Sequence, residues 1–330
     1  MIISRTPFRI SFVGGGTDIR KYYARETGGV LSTTIDKYIY VTVKRQLNIV
    51  DYKYRVSWAK SEFVNEIDEI EHPIVREALR LLNIDYPVEI TTFADVPSGT
   101  GMGSSSSFAV GLLHALFALK NQYVTKAELA EMAAHIEVDI LKRNMGKQDH
   151  YAAAYGDINA IYFHKDESVT VEPVFYDAEI RREIESRLLM FYTSITRNAS
   201  KILKSQIDDM DNGFKTLTEM KNLIPAMREI FSNSNSINDF GRILHKGWML
   251  KKSLTKDIAN GEIDDYYEKA LNAGAIGGKL LGAGGGGFLL FYAEQINHNK
   301  IREALKDLVE MKFRFDKHGT RITYYDELIF

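Results

Sequence analysis

The stretch "PSGTGMGSSSS", residues 97–107, places glycines and serines directly before "FAVGLLHALFALK", which is apolar on nearly every side. Glycines let successive backbone N–H groups turn inward as a nest, and a following helix aims its positive end at the same spot. The hydroxyls of Ser104 and Ser105 can reach phosphate oxygens or a magnesium ion. The chemistry on offer is anion binding. A flexible linker or a run of helix-capping serines is the plain alternative, and the stretch alone does not choose between them. Neither standard phosphate motif is present. A P-loop requires Gly-Lys-Ser/Thr, which "AIGGKL" lacks, and a dinucleotide fingerprint puts glycine where "GTGMGS" has Ser104.

Such a loop needs a scaffold, and the chain is long enough to supply one. Its 330 residues, 45% hydrophobic and 26% charged, have the composition of a folded globular protein with ample core. With no cysteine, disulfides, thiolate metal sites and cysteine nucleophiles are excluded. The net charge of −2, with both signs interspersed, gives no bulk attraction to nucleic acid or anionic membrane. "MIISRTPFRISF" lacks the apolar run of a signal peptide, and no stretch approaches the ~20 apolar residues of a membrane span. A soluble cytoplasmic protein with small-molecule partners is expected.

Strands are expected at "FRISFV", "YIYVTVK", "VEITTF", "DINAIYFH", "RLLMFYTS" and "RITYYD". Helices are expected at Ile74 to Leu82, at Ser107 to Leu119, and from a capping box of Thr125 and Glu128 to about Arg143. A long helical region covers roughly 198–258, "KLLGAGGGGFLLFYA" is a glycine turn feeding a strand, and "KIREALKDLVEM" is a helix. This mixture suggests two α+β lobes with a cleft between them.

Three motifs in order, "PFRISFVGGGTD" at 7–18, "PSGTGMGSSSS" and "KLLGAGGGGF" at 279–288, resemble those of the GHMP family of small-molecule kinases. The resemblance spans almost the whole chain. It implies a ribosomal-protein-S5-like ATP-binding lobe, residues 1–165, and a ferredoxin-like lobe, residues 166–330, with the active site between them. It also implies ATP and Mg²⁺ as cofactors. Pro97, Gly99, Gly101, Gly103, Ser104, Ser105 and Ser106 would then bind the ATP phosphates, with Ser105 and Glu137 on the metal.

Matching the family's sugar kinases residue by residue makes Asp149 the carboxylate at the reacting hydroxyl, twelve residues beyond Glu137. Phosphoryl transfer passes through a loose transition state, so positioning and charge neutralisation are the main demands. Arg9 would hold Asp149 ionised and counter charge on the moving phosphoryl group. Asp18, Gly15, Gly16 and Thr17 would meet the substrate, with Gly284 and Gly285 from the third motif. Read without the family, Glu137 is a helix glutamate beside an apolar stripe, Asp149 a polar helix-end turn, Arg9 an edge-strand surface residue and Asp18 a helix N-cap.

Galactokinases carry an acidic residue and a histidine where this chain has Gly15 and Gly16, which speaks against galactose. "RTPFRISFVGGGTD", "MGKQDHYAAAYG" and "TSITRNASKIL" look most like the heptose 7-phosphate kinase branch, with L-fucose kinases as near relatives. That branch phosphorylates an anomeric hydroxyl. A sugar already bearing phosphate needs a cationic pocket, for which Arg197 and Lys201 share a helix face if "RNASKILK" is helical, with Arg20 and Lys21 as the next pair. Trp58 is a candidate to stack on adenine, although a tryptophan after a strand more often packs. Another sugar 1-kinase and a non-catalytic sugar and nucleotide sensor are the competing readings, and a homodimer is left open.

Overall fold

The computed structural model describes residues 1–47, 49–195, 199–233 and 237–326. In chain order its strands are β1 (Ile2–Val13), β2 (Gly28–Arg45), β3 (Tyr54–Ser57), β4 (Ser61–Val64), β5 (Val88–Ala94), β6 (Ile158–Phe163), β7 (Val169–Pro173), β8 (Leu188–Tyr192), β9 (Ala275–Leu280), β10 (Phe288–Ala293), β11 (Val309–Glu310), β12 (Phe315–Asp316) and β13 (Arg321–Tyr325). The helices are α1 (Arg20–Tyr23), α2 (Pro73–Leu81), α3 (Ser104–Leu119), α4 (Lys126–Ala134), α5 (Gln148–Tyr155), α6 (Ala178–Ser186), α7 (Ala199–Asp208), α8 (Met210–Lys221), α9 (Ile224–Ile230), α10 (Asp239–Lys252), α11 (Gly261–Asn272) and α12 (His298–Ala304).

Among the described residues, nine strands join one sheet built on β2. This strand is rich in β-branched and aromatic residues, which suit a pleated surface. Its length lets it serve several partners. Gly28–Thr33 pairs with β6, Ile39–Arg45 with β5, and β1 lies antiparallel along its other edge. Helix α3 docks on this sheet, where the Ser4 hydroxyl donates to the Gly111 carbonyl at 2.7 Å and that of Ser107 to the Pro7 carbonyl at 2.9 Å. An apolar helix needs cover on several sides, and α4 and α5 supply the rest.

The second sheet has the order β11-β8-β10-β9, antiparallel throughout. Helices α7 to α11 connect β8 to β9, and α12 connects β10 to β11. A βαββαβ sequence in that strand order is the ferredoxin-like arrangement. The lobes share a core, with the Phe12 ring from β1 standing edge-on to Phe240 of α10 at 5.1 Å. Strands β7, β12 and β13 all follow residue 165 and yet pair within the first sheet.

The expected strands and the α3 helix are present, and three helical expectations are modified. The Thr125–Glu128 capping box is formed, but α4 ends at Ala134 and widens into a π-helical stretch, His135–Ile140. Among the described residues, the region from 198 to 258 holds four α-helices, broken near Asp209, before Pro225 and ahead of Asp239. The "KIREALKDLVEM" helix stops at Ala304, because Val309 and Glu310 pair with Tyr192 and Phe191 as an edge strand.

Candidate active site

Gly103 caps α3 without a side-chain bond, so the first N–H groups of the helix are open to an anion. Gly101 has φ +83° and a Cβ there would lie 2.6 Å from the Leu281 carbonyl oxygen; Gly103 has φ +76° and its Cβ would lie 3.0 Å from an Asp149 carboxylate oxygen. Conformation and space both require glycine at these two positions. The segment is thus a shaped cradle rather than a linker. Gly99, Gly101, Gly103, Ser104 and Ser105 line a cleft of about 420 Å³ between the lobes. Pro97 braces the loop by accepting the Thr100 hydroxyl at 3.0 Å, and Ser106 lies buried behind it with its Oγ unpartnered.

Asp149 comes from the first turn of α5, not from a loose turn, and Arg9 is buried on β1 rather than exposed at an edge. The guanidinium grips the carboxylate in two places, Nε to Oδ1 at 2.6 Å and Nη2 to Oδ2 at 2.8 Å. Its remaining arm donates to the Gly101 carbonyl at 2.7 Å. One arginine therefore fixes the carboxylate relative to the phosphate loop.

Glu137 is fully buried on the π-helical stretch. Such stretches often occur at functional sites. Its Oε2 lies 2.9 Å from His150 Nε2, Arg143 pairs with its Oε1, and the Ser105 hydroxyl is near enough to act on its charge. Burial alone would raise its pKa, but His150, Arg143 and Ser105 together hold it below the usual carboxylate range. Among the described residues no three histidine or acidic side chains converge to hold a metal. An ionised carboxylate beside a loop hydroxyl nevertheless suits Mg²⁺, which characteristically takes one or two carboxylates with substrate phosphates.

Asp18 is buried and is not a helix cap; Ile19 takes that position on α1. Its carboxylate accepts the Gly16 N–H at 2.9 Å and both the backbone and side-chain N–H of Gln148 at 3.2 Å. Burial pushes its pKa up, the neighbouring Asp149 adds to the rise, and these hydrogen bonds offset only part of it. Gly15 and Gly16 line the cleft with it.

Other expected residues stand back. Thr17 is buried and ties its loop to Gly14 and Gly29. Gly284 and Gly285 pack on Ile258, and Gly282 and Ala283 line the cleft in their stead. On α7, Ser200, Leu203 and Gln206 face the cleft, whereas Lys201 lines a second open cavity with Lys204, Lys252 and Lys256. Arg197 lies outside the described residues. Arg20 and Lys21 are engaged with Glu167, Asp139 and Asp211. Trp58, 41% exposed, donates to Glu62 at 2.7 Å and meets the His72 ring edge-on at 4.8 Å without lining the cleft.

Three cleft-lining cations escaped the sequence reading: Arg143, Lys251 and Lys279. Only Lys279 carried a sequence signal, as the first residue of the third glycine motif. The cleft thus has an anion cradle, a clamped carboxylate and a ring of cations, the set that phosphoryl transfer requires.

The model for the GHMP kinases N terminal domain matches residues 73–157, and that for the GHMP kinases C terminal matches residues 223–310. The D-glycero-alpha-D-manno-heptose 7-phosphate kinase of Campylobacter jejuni is 31% identical, over 97% of this chain and 98% of that protein. This chain belongs to the GHMP kinases. As a member it is an ATP-dependent phosphotransferase acting on a sugar hydroxyl. The bifunctional fucokinase/GDP-fucose pyrophosphorylase of Arabidopsis thaliana is 26% identical over 92% of this GHMP kinase, which covers 31% of that protein. A D-glycero-D-manno-heptose 1-phosphate kinase structure from Bacteroides thetaiotaomicron has the same fold, with a TM-score of 0.80 at 24% identity over 99% of this chain and 100% of that one. The galactose complex of Lactococcus lactis galactokinase superposes with a TM-score of 0.75 at 18% identity, over 97% and 94% of the two chains. The family fold expected from the three motifs is the fold observed.

Proposed function

We propose that this kinase phosphorylates the anomeric hydroxyl of D-glycero-D-manno-heptose 7-phosphate, giving the 1,7-bisphosphate for nucleotide-activated heptose synthesis. The observation that carries the reading is the end-to-end relation to the Campylobacter jejuni heptose 7-phosphate kinase, at 31% identity over 97% of the chain. The cations Arg143, Lys251 and Lys279 in the cleft agree with a doubly anionic encounter of ATP and a sugar phosphate.

In the proposed reaction the anomeric oxygen bonds to the γ-phosphorus, the bond to the bridging oxygen breaks, and ADP leaves. Asp149 takes or orients the hydroxyl proton. An anomeric hydroxyl is more acidic than an ordinary alcohol, so a carboxylate base suffices. Arg9 orients that carboxylate and places its own charge beside the phosphate loop. Ser104 and Ser105 with the N–H groups of α3 hold the ATP phosphates, and Asp18 with Gly15 and Gly16 meets the sugar. Glu137 and Ser105 would hold Mg²⁺, which when bound neutralises phosphate charge. Ser200 lines the cleft at the start of α7, and its neighbours Arg197 and Lys201 remain our candidates for the 7-phosphate. Trp58 would stack on adenine from the β3–β4 hairpin.

The test is ADP release with heptose 7-phosphate, unphosphorylated heptose, D-mannose and L-fucose, with phosphorus NMR of the product. The expected result is the highest kcat/KM for heptose 7-phosphate and a new anomeric phosphate signal. Preference for L-fucose would overturn the acceptor, and ATP and sugar binding with no ADP release would make the protein a sensor.

A further inference from the structure

Lys251 lies on α10, in "GWMLKKSL", and lines the cleft beside Arg9, Asp18, Asp149 and Lys279. Its neighbour Lys252 points elsewhere and pairs with Asp264 at 2.5 Å. The Lys251 ammonium is buried and donates to the Gly282 carbonyl, and among the described residues it makes no ion pair with a carboxylate. An ammonium has three donors, so this one retains capacity for a ligand. Lys279 makes the contrast. Two of its three donors go to the Ser11 carbonyl at 2.6 Å and the Phe12 carbonyl at 2.9 Å, which ties β9 to β1.

The position of Lys251 is set by its backbone acceptor. Its acceptor Gly282 abuts Gly101 of the phosphate loop, where the Gly282 Cα lies 3.2 Å from a Cβ built on Gly101. Gly101 in turn receives the Arg9 arm. Asp18 and Asp149 line the same cleft and exert their field on the ammonium. Between a phosphate loop and an acceptor-side carboxylate lies the path of the group being transferred. A buried ammonium with no direct ion pair among the described residues is costly to the fold, and an incoming anion offsets that cost.

We infer that Lys251 is a catalytic residue whose ammonium binds the phosphoryl group as it passes from ATP to the acceptor hydroxyl. Both ends of the transfer carry negative charge, so a fixed cation there stabilises the transition state more than either ground state. The role rests on the kinase activity and not on which sugar is the acceptor.

The charged groups facing Lys251 are Arg9 on β1, Asp18 in the turn after it, Asp149 on α5 and Lys279 on β9. Burial lowers the lysine's pKa to about 8, helped by Arg9 and opposed by Asp18 and Asp149. The useful charged form is therefore lost as pH rises through that value.

The experiment follows ADP release by wild type, K251M and K251R with heptose 7-phosphate. If wild type does not turn that sugar over, L-fucose replaces it, and that failure touches the acceptor alone. K251M should lose roughly 10²–10³-fold in kcat, with the Michaelis constant for ATP little changed. Wild-type kcat/KM for ATP should fall as pH rises through about 8. That alkaline fall should be absent from K251M and moved upward in K251R, which keeps its charge. Wild-type turnover in K251M would overturn the role, as would an alkaline fall persisting there, which would belong to Lys279. If K251M does not fold, wild type decides: no fall between about pH 7 and about 10 overturns it.

Discussion

Arg9 and Asp149, 140 residues apart in sequence, face each other through two parallel hydrogen bonds, with the third arm of the arginine on the Gly101 carbonyl. The carboxylate is thereby aimed before substrate arrives, next to the glycine-serine loop. Replacing Asp149 with Asn keeps the shape and one acceptor but removes the base. Asp149→Asn should fold and bind ATP while turnover drops roughly 10²–10⁴-fold. Calorimetric ATP titration beside steady-state ADP release measures both, and near-wild-type turnover would take Asp149 out of the mechanism.

Glu137 is tied to α5 through His150, with Arg143 on its other oxygen and the Ser105 hydroxyl nearby. Glu137→Gln keeps the volume and loses the charge. It should raise the Mg²⁺ concentration needed for half-maximal rate, since one anionic ligand is gone while the phosphates still hold the ion. It should also cost about 1.5–3 kcal/mol in stability near neutral pH, the scale of a hydrogen bond to a charged group. Because the folded carboxyl titrates below its ordinary value, its stabilising contribution is present above that value and lost as pH falls through the folded pKa. The difference between wild type and Glu137→Gln in urea unfolding should therefore narrow in acid. An unmoved Mg²⁺ titration would remove Glu137 from the metal site.

The residues that could be read ahead were those whose role shows in local chemistry. Glycines at 101 and 103 mark positive φ, and the alternation in β1 and β2 marks a sheet. Lys251 and Lys252 are adjacent lysines in one helix, and nothing local says which is buried. Their fates depend on the rotation of α10 relative to a glycine turn some thirty residues on, which only the packed lobe fixes. Likewise β11 is two residues long and exists because β8 has a free edge, so a continuous helical pattern over "KIREALKDLVEM" misleads. Which part of the third glycine motif lines the cleft is likewise a matter of packing. A Cβ on Gly284 would lie 2.9 Å from the Ile258 backbone and the Gly285 N–H donates to the Ile258 carbonyl at 2.8 Å, while the cleft receives Gly282 and Ala283.

Asp18 offers a prediction in which stability and function separate. Burial and the Asp149 charge raise its folded pKa, so it contributes most to stability below its unfolded value and loses that contribution as pH rises through the folded one. An ionised Asp18 carries a burial cost that an asparagine at the same place does not. Asp18→Asn should raise the melting temperature at pH 7, with the gain shrinking toward acid, while raising the Michaelis constant for the sugar roughly ten- to a hundredfold through loss of a charge-assisted contact. A lower melting temperature at pH 7 would mean that its bonds to Gly16 and Gln148 outweigh the burial cost.

The distal phosphate gives the sharpest test of the acceptor. If the sugar carries a 7-phosphate, that group contributes binding energy that plain heptose, mannose and fucose lack, and its contacts to arginine and lysine are of the stronger, charge-assisted kind. Ser200 places the first turn of α7 at the cleft, and Lys201 follows it on the side of the second cavity, with Lys204, Lys252 and Lys256 nearby. The double change Arg197→Ala with Lys201→Ala should raise the Michaelis constant for heptose 7-phosphate by roughly ten- to a hundredfold per lost contact and leave that for ATP nearly unchanged. Unphosphorylated heptose should be a poor substrate for wild type and indifferent to the change. If both constants stay put, the 7-phosphate is held elsewhere. Arg143 is then the next cation to test, because it lines the cleft with its side chain 34% exposed and already faces the nucleotide end through Glu137.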